Sequence, residues 1–372
     1  MSDSQAVIDR CYMARALKLA AKGLYTTTPN PSVGCVLVKD GKIVGEGYTQ
    51  PAGGAHGEVM AMKAAGANTT GATAYVTLEP CSHYGRTPPC SNGLIAAGVV
   101  RVVAAMEDPN PVVASSGLAK LKVAGVQVES GLLEAQARQF LAGFYQRMTN
   151  GVPKVIVKLA SSLDGRTAMA SGESQWITGR EARYQVQKLR AASCAIVTGI
   201  DSVLQDDSSL TVRIEDWLEP YGSDVVRQPL RVVLDSNLKM PLTAKILQQD
   251  GDTLVVCATD HIEKRQQLKA AGATVLKLAG KDQRIDLTAL LKWLAKEKGC
   301  NQVMVEAGAT LSGSFIEQGL VDELHIFQAP VLLGSSAKPL LNLDLSTMAN
   351  KRELVLIDSR KVGSDTWLRY RC

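Results

Sequence analysis

Short apolar runs alternate with helical stretches along nearly the whole chain, and this alternation limits the possible folds more than any other feature. The alternation is interrupted once, at TNGVP (149–153), where Asn, Gly and Pro end the long helical run LLEAQARQFLAGFYQRM. Strands separated by helices form a sheet that is covered on both faces. The chain has 372 residues, which is enough for two cores. We therefore expect two α/β domains, covering residues 1–148 and 152–372.

The individual elements can be predicted from apolar periodicity and turn residues. In the first half we expect helices near 5–22, 56–65, 91–97, 117–124 and 132–148, a hairpin VGCVLVKDGKIVGEGY that turns at Asp40-Gly41, and strands ATAYVTL and VVRVVAAM. In the second half we expect strands PKVIVKLA, CAIVTGI, LRVVLDS, DTLVVCA, TVLKL, QVMVEAG and ELHIFQAPVLL, with helices near 180–191, 261–272, 287–298 and 310–318.

Composition excludes several classes of protein. The net charge is +5 with no basic block, so we expect no nucleic-acid partner and favour small anionic ligands. No run of 18 apolar residues occurs, and the amphipathic start MSDSQAVIDRCYMARALKLAAKG lacks the apolar centre of a signal peptide, which predicts a cytoplasmic protein without a membrane partner. Eight scattered cysteines, several of them in apolar runs, predict reduced thiols.

Two of these cysteines lie close together in TLEPCSHYGRTPPC, where Cys81 and Cys90 each follow a proline. A catalytic zinc site usually takes three protein ligands and leaves the fourth position open, so a third ligand is needed. Among four histidines, His56 opens AHGEVMAM and stands two positions before Glu58. Inside a helix, the side chains of residues two positions apart point in different directions. His56 and Glu58 can therefore reach one site only if they lie at the start of a helix.

The order H-x-E, then P-C, then a second Cys is typical of zinc-dependent deaminases of the cytidine deaminase type. One imidazole and two thiolates bind Zn²⁺ tightly, and a carboxylate that is not a ligand is needed to move protons, which is the role expected for Glu58. A buried trio without metal and a closed structural zinc site are the alternatives. The adjacent carboxylate counts against both, because a structural site has no use for it.

The longer motifs extend this interpretation to the whole chain. TLEPCSHYGRTPPC, TTTPNPSVGCVLV and MEDPNP resemble the deaminase domain of the bifunctional riboflavin-biosynthesis deaminase/reductases, and KLASSLDGRTAMASGESQWIT, LTVR and VEAG resemble their reductase domain. The resemblance implies a cytidine-deaminase-like three-layer α/β domain followed by a dihydrofolate-reductase-like α/β domain. Gly57 departs from the family, which more often has alanine there.

For the deaminase domain, the resemblance implies that zinc is bound by His56, Cys81 and Cys90. Asn30 is expected to hold the pyrimidine ring, since an amide offers both a donor and an acceptor. The resemblance also assigns four residues to the ribose phosphate: His83, Arg86, Asp108 and Asn110. Asp108 and Asn110 can alternatively serve only to shape the turn DPNP.

For the reductase domain, a G-x-G-x-x-G fingerprint is absent, but VEAGATLSGSF offers a glycine-containing turn after a strand that can cradle a pyrophosphate. The same stretch can also be a simple strand-to-helix turn. The resemblance implies NADPH binding by Ala160, Trp176, Ser202, Asp206, Ser236, Gly308, Ala309, Thr310, Leu311, Ser312, Gly313 and Ser314. It places the substrate at Ser174, Arg190, Leu210, Arg213 and Glu306, where the two arginines are expected to bind a 5′-phosphate.

The function implied is deamination of 2,5-diamino-6-ribosylamino-4(3H)-pyrimidinone 5′-phosphate, followed by NADPH reduction of the ribosylamino group to ribitylamino, in a family that is usually dimeric or tetrameric. One alternative is a tRNA or nucleoside deaminase with an appended binding domain, which the long spacing between the cysteines and the weak basic character count against. The other is a zinc-stabilised module without catalysis.

Overall fold

The computed structural model describes residues 3–84, 88–111, 114–217 and 226–372. The chain divides into two compact units, Met1–Val152 and Pro153–Cys372. The division falls within the TNGVP segment, where α-helical structure ends and Gly151 takes a left-handed conformation with φ 69°. None of the described helices is both long and apolar enough to cross a membrane.

The first unit alternates helices and strands as predicted. Its helices are α1 (Asp3–Lys22), α2 (Gly57–Ala65), α3 (Cys90–Ala96), α4 (Ser116–Val123), α5 (Glu134–Phe140) and α6 (Ala142–Asn150). Its strands are β1 (Gly34–Lys39), β2 (Lys42–Tyr48), β3 (Thr73–Val76), β4 (Arg101–Ala104) and β5 (Gln127–Ser130). The predicted hairpin is confirmed: β1 and β2 pair antiparallel, and Asp40 and Gly41 both have positive φ, at 50° and 71°.

These strands form one sheet in the order β2-β1-β3-β4-β5, in which β3, β4 and β5 are parallel. Helices cover both faces. An added Cβ at Gly34 would meet the Ala16 carbonyl of α1, whereas one at Gly47, which pairs with Cys35, would meet the Gly57 carbonyl of α2. Because neighbouring residues of a strand face opposite sides, α1 and α2 lie on opposite faces of the sheet. The unit therefore has three layers.

Two details of the first unit differ from the sequence prediction. The single helix expected over 132–148 is two helices, which meet at Leu141 with φ −97° and ψ 19°. Leu141 and Phe144 are both buried in the core, so the change of direction brings two apolar side chains into it. Strand β5 was not predicted, because QVES carries mostly polar residues at the edge of the sheet.

The second unit also follows the predicted alternation. Its helices are α7 (Arg180–Ala192), α8 (Ile200–Asp206), α9 (Ile262–Ala270), α10 (Leu287–Glu297) and α11 (Ala309–Glu317). Its strands are β6 (Lys154–Ser161), β7 (Arg166–Ala168), β8 (Ala195–Gly199), β9 (Leu230–Leu234), β10 (Thr253–Cys257), β11 (Ala273–Lys277), β12 (Gln302–Val305), β13 (Glu323–Gln328), β14 (Lys338–Pro339), β15 (Val355–Val362) and β16 (Asp365–Arg371).

Nine of these strands form a sheet in the order β11-β10-β9-β8-β12-β6-β13-β16-β15, while β7 and β14 pair separately. The strands from β11 to β13 are parallel, and β16 and β15 add an antiparallel edge that was not predicted. Successive residues of the inner strands enter different cores. Val197 packs in the core that contains Phe315 of α11, and Ile196 in the core that contains Leu268 of α9. Both faces are covered, and the carboxyl ends of the parallel strands stay open for ligands.

Candidate active sites

The first unit brings His56, Cys81 and Cys90 together from three separate segments. His56 immediately precedes α2, Cys81 follows β3, and Cys90 is the first residue of α3. Nδ1 of His56 lies 3.6 Å from Sγ of Cys81 and 3.3 Å from Sγ of Cys90. All three ligand atoms lie within 4.8 Å of one another. They form the one cluster of potential metal ligands among the residues that the structure describes.

These distances suit a zinc ion. With Zn–S near 2.3 Å and Zn–N near 2.05 Å, tetrahedral ligation separates a nitrogen from a sulfur by about 3.6 Å. The two observed nitrogen–sulfur distances, 3.6 and 3.3 Å, are close to this value. Three ligands leave one tetrahedral position for a reacting group, as in catalytic rather than structural zinc sites.

The pKa values of the two thiols are shifted in opposite directions, because their sulfurs lie close together. The hydrogen bond with Cys90, together with bonds from His56 and the Cys90 backbone N–H, lowers the pKa of Cys81 to about 4. The pKa of the Cys90 thiol is raised, first by this same bond to Cys81 and then by burial. Two adjacent thiolates repel each other in the absence of a cation, and a bound divalent ion removes that repulsion.

Glu58 lies in the first turn of α2, beside the thiol of Cys90, and is 3% exposed. Burial raises its pKa to about 7, which suits a carboxylate that accepts and returns a proton near neutral pH. At the start of α2, which brings His56 and Glu58 to one site, the backbone of Gly57 packs closely against the backbone of Val33. A Cβ at Gly57 would lie 2.6 Å from the Val33 carbonyl oxygen, so glycine fits this position without adjustment.

A buried carboxylate that the sequence prediction missed lies next to the metal ligands. Glu79 is 3% exposed, and its two oxygens accept hydrogen bonds from four backbone N–H groups of the segment 108–118. The donors are Asp108 at 3.0 Å, Ser115 at 3.0 Å, Gly117 at 2.8 Å and Leu118 at 3.2 Å. Glu79 therefore joins the segment that carries Cys81 to the loop that carries DPNP. The only indication of this role in the sequence is that Glu79 lies in TLEPC, two positions before Cys81.

Four of the five predicted substrate residues of this unit are described. Asn30 is half-buried in a turn, where its N–H donates to the Thr27 carbonyl at 3.0 Å, and His83 is exposed. Asp108 accepts from the Asn110 N–H at 2.8 Å, so it does shape the DPNP turn, and burial raises the pKa of its carboxyl group. Arg86 lies outside the described residues.

The second unit contains a cavity of about 860 Å³ at the carboxyl ends of β6, β8, β9 and β12. Its volume lies within the range of small-molecule and cofactor sites. Of the predicted cofactor residues, those that line it are Ala160, Trp176, Ser202, Asp206, Ser236, Gly308, Ala309, Thr310, Leu311 and Ser314. All five predicted substrate residues line it as well: Ser174, Arg190, Leu210, Arg213 and Glu306.

Ser312 and Gly313 do not line this cavity. The Ser312 hydroxyl donates to the Ala307 carbonyl at 3.3 Å, and a Cβ at Gly313 would meet the Asn342 carbonyl oxygen at 2.1 Å. Both residues are buried in α11. Gly313 thus allows the close approach of Asn342 to the helix.

The start of α11 fits a phosphate group. Gly308 precedes the helix without a side-chain cap, so the first N–H groups of the helix point towards the cavity unpaired by any described side chain. Such groups, together with the helix dipole, bind anions. The segment 308–311 can therefore hold the pyrophosphate of a dinucleotide.

Arg190 and Glu306, which were each predicted to bind the substrate, bind each other in one charged cluster. The Arg190 guanidinium donates to both Glu306 oxygens, at 2.9 and 3.0 Å, and to the Thr211 carbonyl at 2.8 Å. Lys158, which the sequence prediction did not single out, donates to Glu306 at 3.0 Å. Burial alone would raise the pKa of Glu306, but the charges of Arg190 and Lys158 outweigh it and hold that pKa well below its usual range.

Trp176 is 67% exposed at the cavity wall, and the Arg183 guanidinium lies 4.6 Å from the centre of its ring. A tryptophan this exposed is not a core residue, so a ring face is available to stack on a planar ligand group. The stretch SGESQWIT was the signal that pointed to it.

Comparison with known proteins identifies relatives of both units. Residues 7–106 match the family described as the cytidine and deoxycytidylate deaminase zinc-binding region, and residues 153–368 match the RibD C-terminal domain. Riboflavin biosynthesis protein RibD of Escherichia coli (strain K12) is 50% identical over 365 residues, which are 97% of this chain and 98% of the relative. The corresponding protein of Haemophilus influenzae is 49% identical over 370 residues, 97% of each chain.

Solved structures agree with these matches. RibD of Acinetobacter baumannii superposes with a TM-score of 0.91 at 46% identity, covering 99% of both chains. A diaminohydroxyphosphoribosylaminopyrimidine deaminase/5-amino-6-(5-phosphoribosylamino)uracil reductase of Thermotoga maritima superposes with a TM-score of 0.86 at 30% identity, again over 99% of both chains. The expected cytidine-deaminase-like and dihydrofolate-reductase-like folds are confirmed. Similarity over nearly the full length of several such relatives leaves one assignment: the chain belongs to the RibD family of riboflavin biosynthesis proteins.

Proposed function

We propose that this chain is a bifunctional enzyme of riboflavin biosynthesis that first deaminates a diaminopyrimidine ribose phosphate and then reduces its sugar with NADPH. The observation that carries the first half is the convergence of one imidazole and two sulfurs within 4.8 Å, with a buried free carboxylate beside them. The full-length relatives named as RibD support both halves.

In the deaminase site, His56, Cys81 and Cys90 would hold Zn²⁺, which when bound supplies an activated water as the nucleophile. Glu58 does the proton transfer. Its carboxylate takes one proton from the attacking water and delivers it to the ring nitrogen, then takes a second proton from the newly formed hydroxyl group and delivers it to the amino group, which leaves as ammonia. Asn30, His83 and the DPNP turn would bind the substrate, and burial of Glu58 keeps bulk water from exchanging its proton.

In the reductase site, NADPH when bound supplies the hydride. The α11 N-terminus would hold its pyrophosphate, and Trp176 offers a ring face. Arg213 is a better candidate for the substrate phosphate than Arg190, because two edges of the Arg190 guanidinium are already committed to Glu306 and Thr211. Glu306 would accept from a ribose hydroxyl while it stays ionised between its two cations.

The decisive experiment for the deaminase half compares wild-type protein with Glu58→Gln. We expect the variant to keep one equivalent of zinc and to lose ammonia release from the diaminopyrimidine phosphate by at least about 10²-fold, the scale of general acid–base catalysis. Glu46→Gln is the control, because Glu46 is a surface residue of the same unit that pairs with Arg15. Undiminished ammonia release from Glu58→Gln, or a wild-type protein that prefers cytidine or adenosine, would contradict the proposal.

The same variant tests the reductase half. Given the deaminated intermediate, full-length Glu58→Gln should oxidise NADPH at the wild-type rate, because its reductase unit is unchanged. The oxidation is followed by absorbance at 340 nm, and the reduced product by mass. If neither NADPH nor NADH is consumed by either protein, the chain is not a reductase.

A further inference from the structure

Six basic side chains line the cavity of the second unit, and they differ in whether they make hydrogen bonds or ion pairs within the protein. They are Lys158, Arg183, Arg190, Arg213, Arg284 and Lys338. Four are held by neighbours: Lys158 and Arg190 by Glu306, Arg213 by Asp216, and Arg183 by the Thr178 carbonyl. Within the described ranges, the side chains of Arg284 and Lys338 make no hydrogen bond or ion pair. A cation that lines a cavity without a partner is available to an anionic ligand.

The backbone around Arg284 is held in place although its side chain is not engaged. The Gly280 N–H donates to the Arg284 carbonyl at 2.7 Å, and the Arg284 N–H donates to the Lys281 carbonyl at 3.2 Å. An isolated bridge between Ala279 and Ile285 closes the same loop. The guanidinium is therefore presented from a fixed turn directly before α10, so little backbone ordering is needed for it to bind a ligand.

This turn lies at the carboxyl ends of three adjacent strands, β9, β10 and β11. After β9, the Ser236 carbonyl accepts from the N–H groups of Ala258 and Thr259, which follow β10. After β11, the Leu278 N–H donates to the Cys257 carbonyl at the end of β10. Ser236 and Arg284 thus share one end of the cavity, on the outer side of the parallel strands. Lys338 belongs to β14, which pairs with β7 beyond β6, at the other end.

The position of α11 determines which half of a dinucleotide reaches which end. Helix α11 follows β12, which lies between β8 and β6, so a pyrophosphate at its N-terminus occupies the middle of the cavity. The nicotinamide must lie near the substrate residues, such as Ser174 and Glu306. The adenosine half is then directed towards β9–β11, where Leu234, Ile285 and Leu287 supply apolar surface to the wall.

We propose that Arg284 binds the phosphate on the adenosine ribose of NADPH and makes this reductase select NADPH over NADH. The proposal rests on the proposed reductase function and extends it to cofactor specificity. A guanidinium binds phosphate oxygens in a bidentate manner, and NADH carries a hydroxyl in place of that phosphate. Ser236, at the same end of the cavity, offers a hydroxyl donor to the same group.

The test compares Arg284→Gln with wild-type full-length protein in direct binding. Adenosine 2′,5′-bisphosphate and adenosine 5′-monophosphate are titrated by calorimetry, so the measurement does not depend on turnover. Loss of a charge-assisted hydrogen bond corresponds to about a 10- to 100-fold loss of affinity. We expect this loss for the bisphosphate and no change for the monophosphate. In steady-state assays, KM for NADPH should rise by the same factor while kinetics with NADH stay unchanged.

Lys281→Gln is the matched control, because Lys281 is a basic residue of the same loop that does not line the cavity. Arg284→Lys, which keeps the charge and loses the fork, should show a smaller loss than Arg284→Gln and also covers the case in which the Gln variant folds poorly. The thermal midpoint, followed by the fluorescence of the four tryptophans, all in the second unit, reports folding of that unit.

Equal losses for the two nucleotides, or no loss for either, would overturn the assignment of Arg284. A different result would remove the reductase function itself: wild-type protein that binds neither nucleotide and oxidises neither NADPH nor NADH. The two failures are therefore distinguishable.

Discussion

Glu79→Gln tests whether one buried carboxylate holds the deaminase site together. The substitution keeps one carbonyl oxygen and replaces the other with an NH₂ group, which cannot accept from an N–H donor. The remaining oxygen should stay with the more buried donors, Gly117 and Leu118, so the bonds from Asp108 and Ser115 are lost. Each buried donor left unsatisfied costs about 1–3 kcal/mol. The expected destabilisation of the first unit is therefore about 2–6 kcal/mol, with values in the lower half because these two donors are only partly buried.

Urea unfolding of the full-length protein measures this effect. Loss of deaminase activity reports the first unit, and loss of reductase activity in the same samples is an internal reference for the second. A dependence of about 1–3 kcal/mol per molar urea converts the expected change into a midpoint lower by about 1 M or more. Because Asp108 would be released as well, KM for the deaminase substrate should rise in the absence of urea.

Glu107→Gln is the control for this experiment. Glu107 is an exposed acid near the same loop, and among the described residues its donors are two hydroxyl groups, those of Ser115 at 2.7 Å and Ser130 at 3.5 Å. Its replacement should change stability by less than about 0.5 kcal/mol. If Glu79→Gln unfolds at the same urea concentration as Glu107→Gln, or if the midpoint of the reductase falls as much as that of the deaminase, the reasoning about Glu79 is wrong.

Three further predictions concern charged groups. Arg231→Met should destabilise the second unit by about 3 kcal/mol in thermal unfolding, because this 1% exposed guanidinium donates to the carbonyls of 249–251, which would lose their partner. Burial alone would raise the pKa of Asp9, but its hydrogen bonds, chiefly from Arg101, lower that pKa to about 2. The stability that the ionised group adds is complete above pH about 4 and lost as pH falls towards 2, so the difference between wild type and Asp9→Asn in urea unfolding should shrink over that interval. Glu306→Gln leaves a buried and a half-buried cation without their acid and should lower the free energy of unfolding of the second unit by about 3 kcal/mol. Urea unfolding followed by the fluorescence of the four tryptophans, all of which lie in the second unit, measures this change, with deaminase inactivation as control.

The elements that the sequence predicts well are those buried on both sides. VVL in β9 and LVVC in β10 are continuous apolar runs, because each face of the second sheet packs against helices. The C-terminal hairpin lacks this signal. Val355 and Leu356 of β15 are 59% and 52% exposed, and charged residues follow them, so neither periodicity nor burial marks the strand. Its pairing with β16 depends on a register that tertiary packing provides.

The metal ligands were predictable because their chemistry restricts the choice of residue. Few side chains bind zinc, and the chain contains only four histidines. Two of them, His56 and His261, are followed by an acid at the second position, but only His56 is followed further along the chain by cysteines that each come after a proline. The supporting residues were not predictable in this way. Glu79 acts through backbone N–H groups, which every residue except proline carries, so nothing in the sequence of the 108–118 segment identifies it as the partner of this acid.

The same limit explains why the arginine that binds an anionic ligand cannot be identified from residue type alone. By residue type, Arg190, Arg213 and Arg284 can each bind a phosphate group, and the sequence analysis named only the first two. Their difference lies in counter-charges that the fold supplies: Glu306 reaches Arg190 from 116 positions further along the chain, Asp216 pairs with Arg213 from three positions away, and no described acid forms an ion pair with Arg284. Because an ion pair already made must be exchanged before a ligand can be bound, the arginine with the fewest protein partners gains most from an incoming phosphate. In this family member, the fold's distribution of acids therefore determines which arginine can select the ligand.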